Sequence, residues 1–176
     1  MLKNRMICVI AATLTALAAG TGPATAAPQS LGTFGDWSAF SYDDGNGKVC
    51  FVISEPKSKK LSRRARRGDV FFMVTHWTAK NKYGEPSVII GYPFKKTFSP
   101  TIKIGSDSFR MKVNEDGAWI EDNAEERKLI ETMKAGVRMT VTGMSRRGTR
   151  STDRYSLSGV TAALDKIDDA CGREGA

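Results

Sequence analysis

Between Lys57 and Arg67, seven of eleven residues are basic and none is acidic: Lys57, Lys59, Lys60, Arg63, Arg64, Arg66 and Arg67. A second cluster, Arg146, Arg147, Arg150 and Arg154, follows toward the C-terminus. A guanidinium presents a planar fork that meets phosphate or sulfate with two parallel hydrogen bonds, where an ammonium offers only a point charge. Like charges set close along a chain repel, so the first cluster reads as a mobile, extended segment until a polyanion neutralises it. The residues Lys57, Lys59, Lys60, Arg63, Arg64, Arg66, Arg67, Arg146, Arg147 and Arg150 are therefore the candidate anion- or partner-binding set, two loops forming one site. The competing reading is a solvated loop or a protease-sensitive linker.

Other chemistry finds little support. The single histidine, His76, lies in an apolar stretch beside Trp77, and no G-x-S-x-G elbow supplies a nucleophile for it. One histidine with two cysteines committed elsewhere makes no zinc ligand set. His76 reads as structural. Carboxylates gather at Glu115–Asp116, Glu121–Asp122, Glu125–Glu126 and Asp165–Asp169, but no spacing selects a pair across a cleft. Asp43-Asp44-Gly45-Asn46-Gly47 lacks the ligand alternation and closing Glu of a calcium loop and reads as a hairpin turn. No Gly-rich phosphate loop precedes a helix. The expectation is a protein without catalytic residue, metal or cofactor. Aromatic residues fall in strand patterns rather than on a stacking platform, so specific nucleic-acid binding is not expected.

The N-terminus tells where the protein works. Lys3 and Arg5 precede an apolar run, Met6 to Ala19, followed by Gly20, Gly22, Pro23 and Ala24-Thr25-Ala26. That order is a secretory signal peptide over residues 1–26, cut after Ala26. The run is shorter than the ~20 residues of a membrane span, and the mature chain has no transmembrane segment. Cleavage takes two of 27 basic residues and none of the 19 acids, leaving a formal charge of +6. That balance favours acidic partners. Cys8 leaves with the leader, so Cys50 and Cys171 have one intramolecular pairing open to them. In an oxidising exported compartment that disulfide is the default.

Residues 27–33 read as a flexible leader and 34–172 as a single β-rich domain. Short strands are expected at Phe34–Tyr42, Val49–Ser54, Val70–Trp77, Ser87–Tyr92, Thr101–Ile104, Ser108–Val113, Ala118–Ile120, Val137–Ser145 and Arg154–Leu157. Turn residues such as Gly84-Glu85-Pro86 and Gly105-Ser106-Asp107 separate them. Asn123 with Glu126 reads as a capping box for a helix over about 123–135, and Ser158 as the cap of a second over about 160–169. The sum is a β-sandwich or small barrel with two short helices.

Several strings carry a resemblance: Gly35-Asp36-Trp37-Ser38, Cys50-Phe51, Gly91-Tyr92-Pro93-Phe94, Ala118-Trp119, Gly143-Met144-Ser145-Arg146-Arg147-Gly148-Thr149, Asp153-Arg154-Tyr155-Ser156-Leu157-Ser158-Gly159 and Ala170-Cys171. In that order, from about Phe34 to Cys171, the chain resembles the invasion-associated locus B family of small exported alphaproteobacterial proteins. The resemblance implies an exported, disulfide-bonded, mainly β protein with a link to host-cell entry and supplies no catalytic residue. It favours a secreted, periplasmic or surface interaction protein, a virulence factor whose partner is a host-cell surface component. The alternative is a periplasmic protein whose basic loops hold an anionic cell-wall or lipopolysaccharide component.

Overall fold

Strands dominate because apolar side chains alternate with polar ones, and that period buries one face of each sheet against the other. The computed structural model describes residues 27–172; the expected signal peptide, residues 1–26, lies outside them. In chain order the elements are β1 (Gln29–Phe34), β2 (Trp37–Asp43), β3 (Lys48–Ser54), β4 (Ser58–Leu61), β5 (Phe71–Trp77), β6 (Lys82–Ile89), β7 (Thr101–Ile104), β8 (Asp107–Arg110), β9 (Lys112–Asn114), β10 (Gly117–Trp119), α1 (Asn123–Ala135), β11 (Arg138–Met144), β12 (Arg150–Ser156) and α2 (Val160–Cys171). They make two antiparallel sheets, ordered β1-β2-β3-β5-β6-β10-β9 and β4-β12-β11-β7-β8. The fold is an open β-sandwich rather than a closed barrel.

The inner faces share one core. Trp37, Val52, Phe72, Val74, Val88 and Ile90 from the first sheet meet Ile102, Met139, Val141 and Tyr155 from the second. Trp37 stands edge-on to Phe72 at 6.2 Å, and Phe72 to Tyr155 at 5.9 Å. Trp37 Nε1 also donates to Ser156 O at 3.1 Å, a polar tie between the layers. Leu129, Ile130 and Met133 of α1, and Val160, Ala163, Leu164 and Ile167 of α2, complete the core.

Several expectations shift. Gln29–Phe34 is not a flexible leader: it pairs with β2 from Gln29↔Ser41 to Phe34↔Trp37. Gly84-Glu85-Pro86 is not a turn but the middle of β6, where Pro86 faces Val74. Proline is tolerated there because β10 pairs only with Ser87–Ile89, leaving Pro86 one neighbouring strand. The turn sits earlier, at Thr78–Lys80. The expected strand Ser108–Val113 is broken at the buried Met111, where the chain passes from β8 in one sheet to β9 in the other. Val137, expected to open the strand Val137–Ser145, precedes β11 and is 81% exposed.

Both helix caps move by one residue. Asp122, not Asn123, caps α1, accepting from the N–H of Ala124 and Glu125 at 2.8 and 2.9 Å. Glu126 is released from capping and buried against Lys82 Nζ at 2.8 Å. Burial raises its pKa above the ordinary carboxylate value, against the pull of Lys82. Gly159, not Ser158, opens α2 at φ 86°. A Cβ there would meet Phe34 O at 2.0 Å, and one on Gly35 would meet Ser158 O at 2.6 Å. Two backbones cross at this point, joined by Asp36 N–H donating to Ser158 O at 3.0 Å.

The Asp43–Gly47 turn forms as expected, with Asp44 Oδ1 accepting from Asn46 and Gly47 N–H at 2.9 and 3.0 Å. Cys50 and Cys171 form the disulfide, 121 residues apart, so β3 is pinned to the last turn of α2. Beside it, on the residue facing Cys50 across the strands, His76 is buried. Its Nδ1 accepts from Gly84 N–H at 3.0 Å, which leaves Nε2, 2.7 Å from Asp168 Oδ1, to donate.

Candidate anion-binding cleft

The basic segment is only partly a loop. Ser58–Leu61 forms β4, the edge of the second sheet, pairing from Arg154↔Ser58 to Ser151↔Leu61. Lys57 bonds Asp36 and Lys59 lies 3.4 Å from Glu55. Lysines on an edge strand also discourage further strand pairing, a role that needs no ligand. Beyond β4, residues 62–70 run without regular structure to β5.

Two arginines fasten that run. Arg63 Nε donates to Thr149 Oγ1 at 2.7 Å, and its terminal nitrogen to Arg147 O, so the first basic loop is tied directly to the second. Arg67 turns inward onto Asp153 of β12 as a two-point pair, one arm at 2.8 Å, with the side chains 7% and 1% exposed. Burial disfavours the Arg67 charge, but the hydrogen bonds and charge of Asp153 outweigh it and raise the guanidinium pKa. Arg67 is therefore a fastener, not a ligand donor. Beside it Tyr92 Oη lies 2.6 Å from Ser151 Oγ, its pKa raised by burial.

These contacts shape a cleft of about 950 Å³. Arg63, Arg64, Arg66 and Arg67 line one side and Arg146 and Arg147 the other, with Leu61, Tyr92 and Pro93 as apolar wall. Among the described residues that line it, none is acidic. Among the described residues the guanidiniums of Arg64, Arg66, Arg146 and Arg147 are exposed and engaged in no hydrogen bond or ion pair. Four uncommitted forks on a frame fixed by Arg63 and Arg67 can take up phosphate or sulfate oxygens.

The fold thus brings together Arg63, Arg64, Arg66, Arg67, Arg146 and Arg147, as expected of two loops making one site. It leaves Lys57, Lys59, Lys60 and Arg150 off the cleft. Arg150 lies over the Phe98 ring at 5.5 Å. Sequence reasoning missed Asp153, whose identity as a buried partner has no local signal. It also missed Tyr92 and Pro93 as cleft wall, although they stand in the Gly91-Tyr92-Pro93-Phe94 string. Gly91 is there because a Cβ at its φ of 72° would meet Gly68 O at 2.4 Å.

No group of three or more His, Cys, Asp or Glu among the described residues could hold a metal ion, and none of their helices is long and apolar enough to cross a membrane. No curated protein matches the chain. The crystal structure of invasion associated protein b from Bartonella henselae superposes with a TM-score of 0.54 at 12% sequence identity, over 85% of this chain and 100% of that one. At that identity the likeness is one of fold. The family model described as invasion associated locus B (IalB) protein matches residues 37–168, from the core tryptophan of β2 to the histidine-bonded aspartate of α2. The chain belongs to the invasion associated locus B family.

Proposed function

We propose that this is an exported, non-enzymatic interaction protein that engages an anionic surface through the arginine cleft and so contributes to host-cell association or entry. The observation that carries the reading is the convergence of Arg64, Arg66, Arg146 and Arg147, all uncommitted, on one acid-free cleft. Family membership and the fold shared with a Bartonella invasion-associated protein supply the host-cell context. The disulfide suits an oxidising exported compartment. Burial of His76, with both ring nitrogens hydrogen bonded, supports a structural role for the chain's one histidine.

The test is binding of oxidised protein lacking residues 1–26 to intact host cells and to isolated bacterial envelope at physiological salt. It runs beside the quadruple variant Arg64→Ser, Arg66→Ser, Arg146→Ser, Arg147→Ser. Host-cell binding that the variant loses supports the reading. Undiminished binding by the variant moves the site off the cleft, and envelope binding alone replaces the host-cell role with retention of an anionic envelope component.

A further inference from the structure

The two arginine loops differ in how their backbones are held, and the difference exposes one of them to cleavage. Ser62 N–H donates to Arg150 O at 2.8 Å, and Gly68 N–H to Gly91 O at 2.8 Å; between them residues 63–67 make no backbone hydrogen bond. Arg64, Ala65 and Arg66 are exposed and lack regular structure. A protease takes its substrate as an extended segment on both sides of the cut bond, so local opening decides which bonds a folded chain offers. Here no backbone hydrogen bond of residues 63–67 has to break.

The arginyl bonds within it are not equal. Cleavage after Arg66 or Arg67 requires the Arg67 side chain, 7% exposed, to leave Asp153. Cleavage after Arg63 places in the protease pocket a side chain bonded to Thr149 and Arg147. Arg64 has no such tie, and Ala65 after it is small. The second loop is closed: Ser145 N–H donates to Thr149 O at 2.8 Å, Gly148 N–H to Ser145 O at 2.8 Å and Arg146 N–H to Pro93 O at 2.9 Å. Thr149 N–H also donates to Ser145 Oγ at 3.0 Å. Straightening it would break the end of the β11–β12 hairpin.

We infer that the Arg64–Ala65 peptide bond is a processing site for an arginine-directed endoprotease, and that its product is a two-chain protein. Water adds across the bond: the Arg64 carbonyl becomes a carboxylate, the Ala65 nitrogen becomes a free ammonium, and no other bond breaks. The chain ending at Arg64 carries β1 to β4 and Cys50, and the chain beginning at Ala65 carries everything from β5 to Cys171. The Cys50–Cys171 disulfide joins them, while β3 stays paired with β5 and β4 with β12. The new carboxylate lies on the cleft wall, where it competes with an anionic ligand for the neighbouring arginines.

Limited digestion of the oxidised protein with trypsin, read by intact mass with and without reductant, tests the inference. The expected first product is heavier by one water, stays single without reductant and separates on reduction into two fragments, the second beginning at Ala65. Arg64→Gln, a surface change whose folding is checked by an unaltered melt, abolishes cutting at this bond, because trypsin takes only Lys or Arg before the cut. A first cut after Arg146, Arg147 or any lysine overturns the inference. So do equal cutting at every arginyl bond of 63–67, an unslowed Arg64→Gln variant, or fragments that part without reductant.

Discussion

Residues 62–69 and residues 145–149 turn arginines toward the same cleft, yet their backbones are held by opposite means. The second loop closes a hairpin, so main-chain hydrogen bonds between Ser145 and Thr149 fix it locally. The first joins strands of different sheets, β4 and β5, and its backbone is bonded only near its ends, Ser62 to Arg150 and Gly68 to Gly91. Its order comes from side chains reaching across the molecule: Arg63 to the second loop and Arg67 to Asp153 in the interior. Charge density alone says nothing about such a difference. Of the basic residues between Lys57 and Arg67, Arg63 and Arg67 fasten the fold, and Arg64 and Arg66 are exposed and uncommitted.

The comparison can be broken at four points. Reducing Cys50–Cys171 removes the constraint that encloses both loops, since the bridge spans 121 residues. The chain-entropy account puts this at about 5 kcal/mol as an upper value. Thermal melts with and without reductant measure it, and an unchanged Tm would show that the bridge does not stabilise the fold. Asp153→Ala comes next: it strands the buried Arg67 charge, an expected loss of about 3–5 kcal/mol in urea unfolding. Hydrogen exchange should then quicken in 62–69 and not in 145–149; quickening of both would show that the loops are not held independently.

Ser145→Ala removes the hydroxyl that accepts from Thr149 N–H, at about 1 kcal/mol. It should draw the hairpin loop toward the behaviour of its neighbour, read as faster exchange at Thr149; no change would show that the backbone bonds suffice. The smallest effect belongs to Lys57, whose hydrogen bond, with that of Ser156, lowers the Asp36 pKa below its ordinary value of 3.8. A lowered carboxyl stabilises the fold above that ordinary value, and the contribution is lost as pH falls through the folded-state pKa. Tm should therefore drop less steeply with acid in Asp36→Asn than in the parent, and identical slopes would show that the pair contributes nothing.

Local patterns in the sequence were enough for much of the scaffold. The β7–β8 hairpin follows from Gly105, the α1 stripe from Leu129, Ile130 and Met133, and the disulfide from there being only two cysteines beyond the leader. What escaped was set by partners distant in sequence. Gln29–Thr33 is polar enough to read as a leader and is part of a strand only because β2 offers its edge. Glu126 reads as a capping residue until Lys82, on β6, claims it. Met111 marks a change of sheet that no turn residue announces. At the cleft, the meeting of two basic loops was legible as charge, but Arg67 looks identical to Arg66 in sequence. Only Asp153, far along the chain, makes one a fastener and the other a free fork.

The crossing of Gly35 and Gly159 joins the two ends of the chain in the finished fold. Helix α2, the last element, packs on β1, β2 and β3, the first three. A chain that emerges N-terminus first cannot complete these contacts until α2 has appeared. Such contacts between the two ends are slow to form, because the whole intervening chain must be ordered before they are gained. The Cys50–Cys171 bridge, 121 residues across, likewise can close only once the last turn of α2 is in place.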